Sequence, residues 1–267
     1  GFYHQDKKKL GRAVVDETTW RDLDLDRIFY KLNRCASSIG SQYLYHILHT
    51  YEEDSTVLRQ RVDNYYYFLE NPDNRLKLQK QLYKLHRSNN CYLARLLFAD
   101  PPERPWYYFL FMLLPFLLVL SAVLAFFIPR LFFVALGAAI INLLIHHFYT
   151  PRIFGFLPNM QSLNTMLKIT EQIGSFSPSV PLPEVRGLNK YRKKIKTLRK
   201  KMVWLLFDTA TLDPLTEALV DYANHFLLRN IRIYYRIIKE FKKRQPDLLR
   251  IFEYLGSLDA TIAIASY

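Results

Sequence analysis

The stretch "AFFIPRLFF" (Ala125 to Phe133) places a Pro-Arg pair between two apolar runs. From Trp106 to Ile128 the chain has 23 residues without a formal charge, and Leu131 to Tyr149 adds 19 more. At about 1.5 Å rise per residue, each run is long enough for a hydrocarbon core of roughly 30 Å. The two runs therefore predict a pair of membrane-spanning helices.

The Pro-Arg pair is expected to form the tip of a helical hairpin. Pro129 breaks the helix, and the long side chain of Arg130 reaches the lipid headgroups. The alternative is a buried hairpin in a soluble core, but a soluble helix keeps a polar stripe and neither run has one. The opposite ends carry residues suited to a membrane interface, namely Trp106, Tyr107, Tyr108, His146, His147 and Tyr149. A hairpin returns both ends to one side, and the Lys/Arg-rich flanks predict that both termini are cytoplasmic.

Composition favours helices in the rest of the chain. The 267 residues are 50% apolar and 23% charged, which is typical of a folded protein rather than a disordered one. Only eight are glycine, and long runs are rich in Leu, Ile, Lys, Arg and Tyr. The two cysteines, Cys35 and Cys91, exclude a disulfide framework and a Cys-based zinc site. The sequence predicts an all-α fold.

Two helices are predicted in the first fifty residues. Asp16 is expected to cap an acidic helical segment that extends to Arg34. Its apolar residues are expected to form one face, which comprises Trp20, Leu23, Ile28 and Leu32. Ser37 or Ser38 then caps a helix whose apolar residues, Ile39, Tyr43, Leu44, Ile47 and Leu48, recur at helical spacing.

Two further helices are predicted before the hairpin. Asp54 precedes the third, whose inward face is expected to comprise Leu58, Val62, Tyr65, Tyr66 and Leu69. "NPDN" (Asn71 to Asn74) ends this helix. The fourth carries Leu78, Leu82 and Leu85.

Long helices are predicted after the hairpin. One near Asn159 to Ile173 ends at Gly174, and a Pro/Ser linker follows. A heptad pattern then marks a long antiparallel helix through Leu188, Tyr191, Ile195, Leu198, Met202 and Leu205. Asp213 and Pro214 open a helix expected to reach Arg244, after which Pro246 restarts the chain. The last apolar stripe is Ile251, Leu255, Leu258, Ile262 and Ala265.

These patterns divide the chain into four segments. Residues 1–105 form the first helical part, and residues 106–149 form the membrane hairpin. Residues 150–181 contain a connecting helix and the Pro/Ser linker. Residues 182–267 contain the long helices that return to the first part.

The positive charge is concentrated in one region. Residues 181–250 hold 17 Lys or Arg and 7 Asp or Glu, within a chain of formal net charge +13. Five basic residues follow helical 3, 4, 3, 4 spacing, namely Arg229, Arg232, Arg236, Lys239 and Lys243. Others, including Lys193, Lys194 and Lys200, are interleaved with the heptad. Three interpretations stay open: a solvated helix surface, a surface for anionic lipid, or one for nucleic-acid phosphate.

No pattern in the chain indicates catalysis or a bound metal. The phosphate-binding P-loop, the H-E-x-x-H zinc motif and the G-x-S-x-G nucleophile motif are absent. His146 and His147 are adjacent on a helix, so their side chains point in different directions and an interfacial role is favoured. The carboxylates of Asp22, Asp24 and Asp26 are interpreted as a solvated helix face rather than a metal site.

Several blocks in order resemble one known family. They are "VVDETTWRDLDL" (Val14 to Leu25), "SSIGSQYLYHILHT" (Ser37 to Thr50), the segment from Leu58 to Leu82, and "FEYLGSLDATIAIASY" (Phe252 to Tyr267). The matching residues are Asp16, Thr19, Asp22, Leu23, Gly40, Leu44, Arg61 and Asp63. Together these blocks resemble the helical core and lever region of the MutS family of DNA mismatch-repair ATPases. The hairpin departs from that pattern, since it falls where soluble relatives continue through their lever and clamp helices.

The resemblance carries functional expectations. It implies that the chain is the core and lever region of a longer, membrane-anchored ATPase that binds mismatched DNA and takes part in DNA repair. The ATPase domain, with ATP and Mg²⁺, would begin after Tyr267 and would form a homodimer. The resemblance also directs the basic stripe toward DNA. The alternative is a non-enzymatic, membrane-anchored helical scaffold that docks a protein partner or anionic lipid.

Overall fold

The computed structural model describes residues 14–85, 91–98, 103–205 and 213–267, and these residues are overwhelmingly helical. Their α-helices are α1 (Glu17–Asp22), α2 (Leu25–Leu32), α3 (Ser38–His49), α4 (Ser55–Glu70), α5 (Pro72–Leu82), α6 (Cys91–Phe98), α7 (Leu110–Leu124), α8 (Leu131–Gly174), α9 (Pro183–Leu205), α10 (Pro214–Phe226) and α11 (Arg229–Ala265). Short 3-10 helices occupy Tyr83–Leu85 and Trp106–Phe109. Among the described residues, β pairing is limited to one isolated bridge, Val14 to Thr50. The predicted all-α fold is confirmed.

The chain divides into two compact units. The first comprises residues 1–100, 161–197 and 244–267, and the second comprises residues 101–160 and 198–243. Helices α8, α9 and α11 each contribute residues to both units. The boundaries of the units therefore fall within these three long helices.

The helix starts in the first unit follow the predicted capping residues. Asp16 Oδ1 accepts a hydrogen bond from Thr19 N at 2.8 Å, and Ser37 Oγ accepts one from Gly40 N at 3.1 Å. Asp54 Oδ1 likewise accepts from Thr56 N at 2.8 Å. These side chains satisfy backbone N–H groups that have no partner in the first turn of a helix.

A buried carboxylate connects the start of α3 with the end of α11. Asp259 is 1% exposed, and its two oxygens accept hydrogen bonds from Ala36 N at 2.8 Å, Ser37 N at 2.8 Å and Ser37 Oγ at 2.6 Å. A Cβ added at Gly40 would collide with the Asp259 side chain, so only glycine permits this close approach. Around this contact pack the fully buried side chains of Ile39, Leu44, Phe252 and Leu255.

The predicted acidic helix is interrupted. The chain forms α1 and α2 with a break at Asp24, whose φ of 48° lies in the left-handed region that Asp tolerates better than most residues. The proposed common apolar face does not form, since Leu23 is 59% exposed and Ile28 is 39% exposed.

The predicted inward face of α4 is wrong. Most of its residues are exposed, namely Leu58, Val62, Tyr66 and Leu69, while the buried side chains of the helix are Asn64 and Phe68. Asn64 is turned inward because its Nδ2 donates to both carboxylate oxygens of Glu184, at 2.9 and 3.0 Å. A polar contact thus rotates the helix relative to its apolar pattern.

The helix after the hairpin is longer than predicted, and the heptad is largely confirmed. Helix α8 is continuous through residue 150 and ends at Gly174 as expected. In α9, the side chains of Leu188, Ile195, Leu198 and Met202 are fully buried, whereas Tyr191 is half-buried and the side chain of Leu205 lies outside the described part. Within the first unit α9 runs antiparallel to α11, since Gly187 contacts Tyr254 and Lys194 contacts Asp247.

The boundary between the last two helices lies earlier in the chain than predicted. Asp213 caps α10 as expected, but α10 ends at Phe226, and the next helix then runs uninterrupted from Arg229 to Ala265. The break is made by Leu228, which has a φ of 51° and is fully buried. Pro246 does not restart the chain, because it lies on the exposed side of α11 and the helix continues past it. The last apolar stripe, from Ile251 to Ala265, is buried as predicted.

Replacing Asp259 with Asn is expected to destabilise the protein by about 1–3 kcal/mol, the usual cost of an unsatisfied buried group. The Asn side chain has only one acceptor oxygen, whereas three groups donate to this position, namely Ala36 N, Ser37 N and Ser37 Oγ. Thermal unfolding followed by circular dichroism in detergent measures the effect. Asp22→Asn, on an exposed carboxylate of α1, is the matched control and should leave the unfolding temperature unchanged.

The same variant should alter the pH dependence of stability. Burial raises the pKa of Asp259 from 3.8 to about 6, despite its hydrogen bonds to Ser37 and Ala36. Since the folded-state pKa is the higher one, this group's contribution to stability falls as pH rises from about 4 to about 6 and is constant above that. The cost of Asp259→Asn should therefore be larger at pH 4 than at pH 7. A cost that grows with pH would contradict this assignment.

Candidate membrane anchor and basic helix surface

The two predicted spans are apolar and largely uncovered by protein. Trp106–Leu124 and Leu131–Ile153 are both long and apolar enough to cross a membrane, and only 22% and 11% of their most apolar windows are buried. Large side chains such as Phe126 (92% exposed), Phe133 (74%) and Phe148 (70%) face outward. The core helix of a soluble protein would bury such residues, whereas extended exposed apolar surface marks contact with lipid or another protein.

The spans form a hairpin. Tyr107 and Tyr149 share a hydrogen bond between their hydroxyls at 2.7 Å, and the rings of Phe111 and Tyr149 lie 5.1 Å apart. The start of the first span therefore lies beside the end of the second. Residues 125–130 make the turn, in agreement with the tip predicted at Pro129 and Arg130.

The base of the hairpin belongs to an aromatic cluster. This aromatic cluster comprises Tyr108, Phe111, Tyr149, Ile153, Leu228, Ile231, Tyr234, Tyr235 and Ile238. The ring centroid of Tyr235 lies 5.5 Å from that of Tyr108, 6.1 Å from that of Phe111 and 6.4 Å from that of Tyr149. The first turns of α11 are thus packed on both spans, although Tyr149 and Arg229 are separated by 80 positions in the sequence.

A polar residue within the second span joins it to α10. Asn142 is fully buried, and its Nδ2 donates a hydrogen bond to the carbonyl of Phe226 at 2.7 Å. Phe226 ends α10, where backbone carbonyls lack helical partners. One turn along, the rings of His146 and His225 lie 4.2 Å apart. These contacts hold the end of α10 against the second span.

Charged groups surround the base of the hairpin. The guanidinium of Arg104 lies 3.6 Å from the ring centroid of Tyr108, and that of Arg152 lies 5.4 Å from the ring centroid of Tyr149. On α11, Lys242 Nζ lies 3.9 Å from Glu103 Oε1. Since Glu103 precedes the first span by only a few residues, this part of α11 lies at the same level as the start of that span.

The five residues of the predicted basic stripe lie on one side of α11 in the second unit. Arg236, Lys239 and Lys243 are exposed. Arg229 is half-buried, and its Nη1 donates to Asn224 Oδ1 at 3.4 Å. Arg232 is also half-buried, and burial, followed by the nearby charge of Arg236, lowers its pKa. The stripe therefore begins beside the aromatic cluster and becomes open to solvent along the helix.

The predicted basic residues of α9 belong to both units, Lys193 and Lys194 to the first and Lys200 to the second. Lys193, Lys194 and Lys200 are all exposed. Lys194 Nζ lies 3.4 Å from Asp247 Oδ1, so one of these charges is partly compensated within the first unit.

A polar cavity of about 500 Å³ lies in the first unit. Its charged walls pair with each other: Arg61 contacts Glu52 at 3.3 Å, and Arg250 contacts Glu253 at 3.0 Å. Burial raises the pKa of the Glu184 carboxyl, which accepts hydrogen bonds from Asn64. This mutual pairing gives the cavity a structural explanation. Within the described ranges, no group of three or more His, Cys, Asp or Glu side chains is placed to hold a metal ion.

No family model, curated protein or solved structure matches the chain. The similarity to the MutS family therefore stays a prediction from sequence. The blocks that carry it lie in the first unit, where Asp16 caps α1 and Gly40 packs against Asp259.

Three important residues were missed from the sequence. Asn142 had a recognisable signal, because it is a lone amide in an apolar run and such groups seek partners inside a membrane protein. Asp259 is one acidic residue within a predicted apolar stripe. Leu228 has no signal, since leucine is not expected in the left-handed region.

Replacing Tyr235 with Ala is expected to destabilise the second unit by about 3 kcal/mol, as for other large-to-small changes at buried aromatic residues. Tyr235 is 6% exposed and lies at the centre of the aromatic cluster. Thermal unfolding in detergent measures the loss. Tyr30→Ala, at a side chain that is 78% exposed, serves as the matched control. Equal effects of the two changes would show that the aromatic cluster does not hold α11 to the spans.

Proposed function

We propose that this chain is a membrane-anchored helical module whose hairpin crosses the bilayer and whose basic stripe faces anionic lipid headgroups. The observation that carries the proposal is the packing of the first turns of α11 on both spans in the aromatic cluster. The stripe occupies the same turns of the same helix. Its position relative to the spans is therefore fixed by buried contacts.

The charge and level of the stripe fit headgroups. Tyr107 and Tyr149 lie at the level where aromatic residues collect in membrane proteins, and Arg104 and Arg152 flank them. The contact of Lys242 with Glu103 brings this turn of α11 to the level of the start of the first span. Basic residues close to an anionic leaflet each contribute about 1 kcal/mol to binding. Five such residues on one helix side supply a substantial attraction.

A second candidate is the core and lever region of a membrane-anchored MutS-like ATPase that binds DNA. It is favoured by the hydrogen bonds that join Ala36 and Ser37 to Asp259, because two of the blocks that resemble the family thereby form one unit. Under this proposal the whole protein binds ATP and Mg²⁺, forms a homodimer through an ATPase domain and recognises DNA. The basic stripe would then contact DNA phosphates.

The proposed topology places both termini in the cytoplasm and the hairpin turn outside, because basic residues flank the base of the hairpin. Arg130→Cys should be labelled by a membrane-impermeant thiol reagent added to intact cells. Ser177→Cys should be labelled only after the membrane is permeabilised. The unsubstituted protein, with Cys35 and Cys91, controls for background. Labelling of position 177 in intact cells would refute the orientation.

Reversing the three exposed charges of the stripe (Arg236, Lys239 and Lys243, each to Glu) should weaken binding of anionic lipid. At about 1 kcal/mol for each of the three lost charges, the affinity should fall by roughly a hundredfold. Binding of a fluorescent anionic lipid in mixed micelles and of a duplex DNA is measured at two salt concentrations. The matched control reverses Lys31, Lys80 and Lys84, the same number of exposed charges in the first unit.

The outcomes separate the two candidates. A loss of lipid affinity confined to the α11 variant supports the headgroup surface. A loss of DNA affinity, with a salt slope lowered by about one unit for each phosphate contact, supports the MutS-like candidate. If both binding curves are unchanged, the stripe is a solvated helix surface and both functional assignments of these residues fail.

A further inference from the structure

Helix α10 exposes an apolar edge. Leu215 is 72% exposed, Leu219 is 61% exposed and Tyr222 is 63% exposed. Their spacing of four and three residues places them on one side of the helix, and we refer to them as the lipid edge. Asp221 and His225 are exposed on the neighbouring side, while Asn224, on another side, is buried. The helix thus has one buried side, one exposed polar side and one exposed apolar side.

The end of α10 lies within the length of the second span. Asn142, which binds the carbonyl of Phe226, is seven residues from Tyr149 in the direction of the hairpin turn. At 1.5 Å per residue this distance is about 10 Å along the helix. If the paired hydroxyls of Tyr107 and Tyr149 mark the membrane interface, the C-terminal end of α10 lies at the depth to which interfacial helices insert, about 5–10 Å.

We propose that α10 is a third membrane-contacting element, an interfacial helix whose lipid edge inserts among the acyl chains beside the hairpin. This inference rests on the proposed crossing of the membrane by the hairpin. The occupant is lipid because α10 is joined to a span whose own outward side chains, such as Leu143 and Leu144, are exposed and apolar. The apolar surface of the hairpin therefore continues onto α10.

The charges of α10 predict which lipid property matters. Between Asp213 and Phe226 the helix has the acidic residues Asp213, Glu217 and Asp221 and no Lys or Arg. Anionic headgroups would repel these groups, so insertion must be driven by the apolar side chains. Insertion of α10 is therefore expected in purely zwitterionic membranes, in contrast to the binding expected of the basic stripe.

The test places an environment-sensitive NBD fluorophore at single cysteines in the whole chain, with Cys35 and Cys91 replaced by Ala. Leu219→Cys reports on the lipid edge and Asp221→Cys on the polar side of the same helix. Leu120→Cys, in the first span, reports on hairpin insertion. Each protein is reconstituted into phosphatidylcholine vesicles with or without spin-labelled lipid, after circular dichroism has shown unchanged helix content. Leu215→Cys repeats the measurement if the variant at position 219 does not fold.

We expect blue-shifted emission and quenching by spin-labelled lipid at positions 120 and 219, and water-like, unquenched emission at position 221. Quenching at position 120 with unquenched emission at position 219 would overturn the inference and leave the proposed anchoring intact. In that case a blue shift at position 219 would indicate that a second copy or another protein covers the edge, and a water-like spectrum would indicate exposure to solvent. Unquenched emission at position 120 would overturn the anchoring, and the inference with it.

Discussion

The carboxylate of Asp259 joins parts of the first unit that are far apart in the chain. It accepts hydrogen bonds from Ser37, 222 positions away, and between these points the chain contributes two segments to the second unit. Closing so long a loop costs conformational entropy. Isolated burial of a charge is also unfavourable, so the donors of Ala36 and Ser37 must be in place when α11 packs. The packing of α11 also requires glycine at position 40, because any side chain there would occupy the space of the Asp259 carboxylate.

Buried polar groups in the second unit also depend on hydrogen-bond partners within the protein. Under the proposed crossing of the membrane, a polar group in the spans has no water to bind, so its partner must come from the protein. Asn142 bonds to the end of α10, Tyr107 bonds to Tyr149, and Ser121 Oγ donates to the carbonyl of Leu117 at 2.7 Å. These contacts turn polar atoms toward the protein and leave large apolar side chains on the outside of the hairpin.

Local chemistry in the sequence predicted the helix starts, the hairpin and the buried heptad. The predictions failed where a distant contact decides the geometry. Most of the apolar residues assigned to one face of α4 are exposed, because Asn64 is drawn inward by Glu184, 120 positions along the chain. Pro246 was expected to break a helix, but on the exposed side of α11 the helix accommodates it. The real break, at Leu228, places an unfavourable backbone conformation on a residue whose burial in the aromatic cluster offsets the cost.

The basic stripe is far from the hairpin in the sequence but begins beside its base in the fold. In the sequence, 80 positions separate Tyr149 from Arg229. The chain returns, however, to the aromatic cluster at Leu228, and the side of α11 formed by Ile231, Tyr235 and Ile238 is buried there. Tyr234, Ile237 and Phe241 are buried as well, so at about 100° per residue the centre of the basic stripe lies roughly 160° around the helix from the centre of the buried side. The stripe therefore shares the turns of α11 that pack on the spans, but lies on the opposite side of the helix. Under either proposal, the anionic lipid or the DNA phosphate would bind the side of α11 that its packing leaves exposed, at Arg236, Lys239 and Lys243.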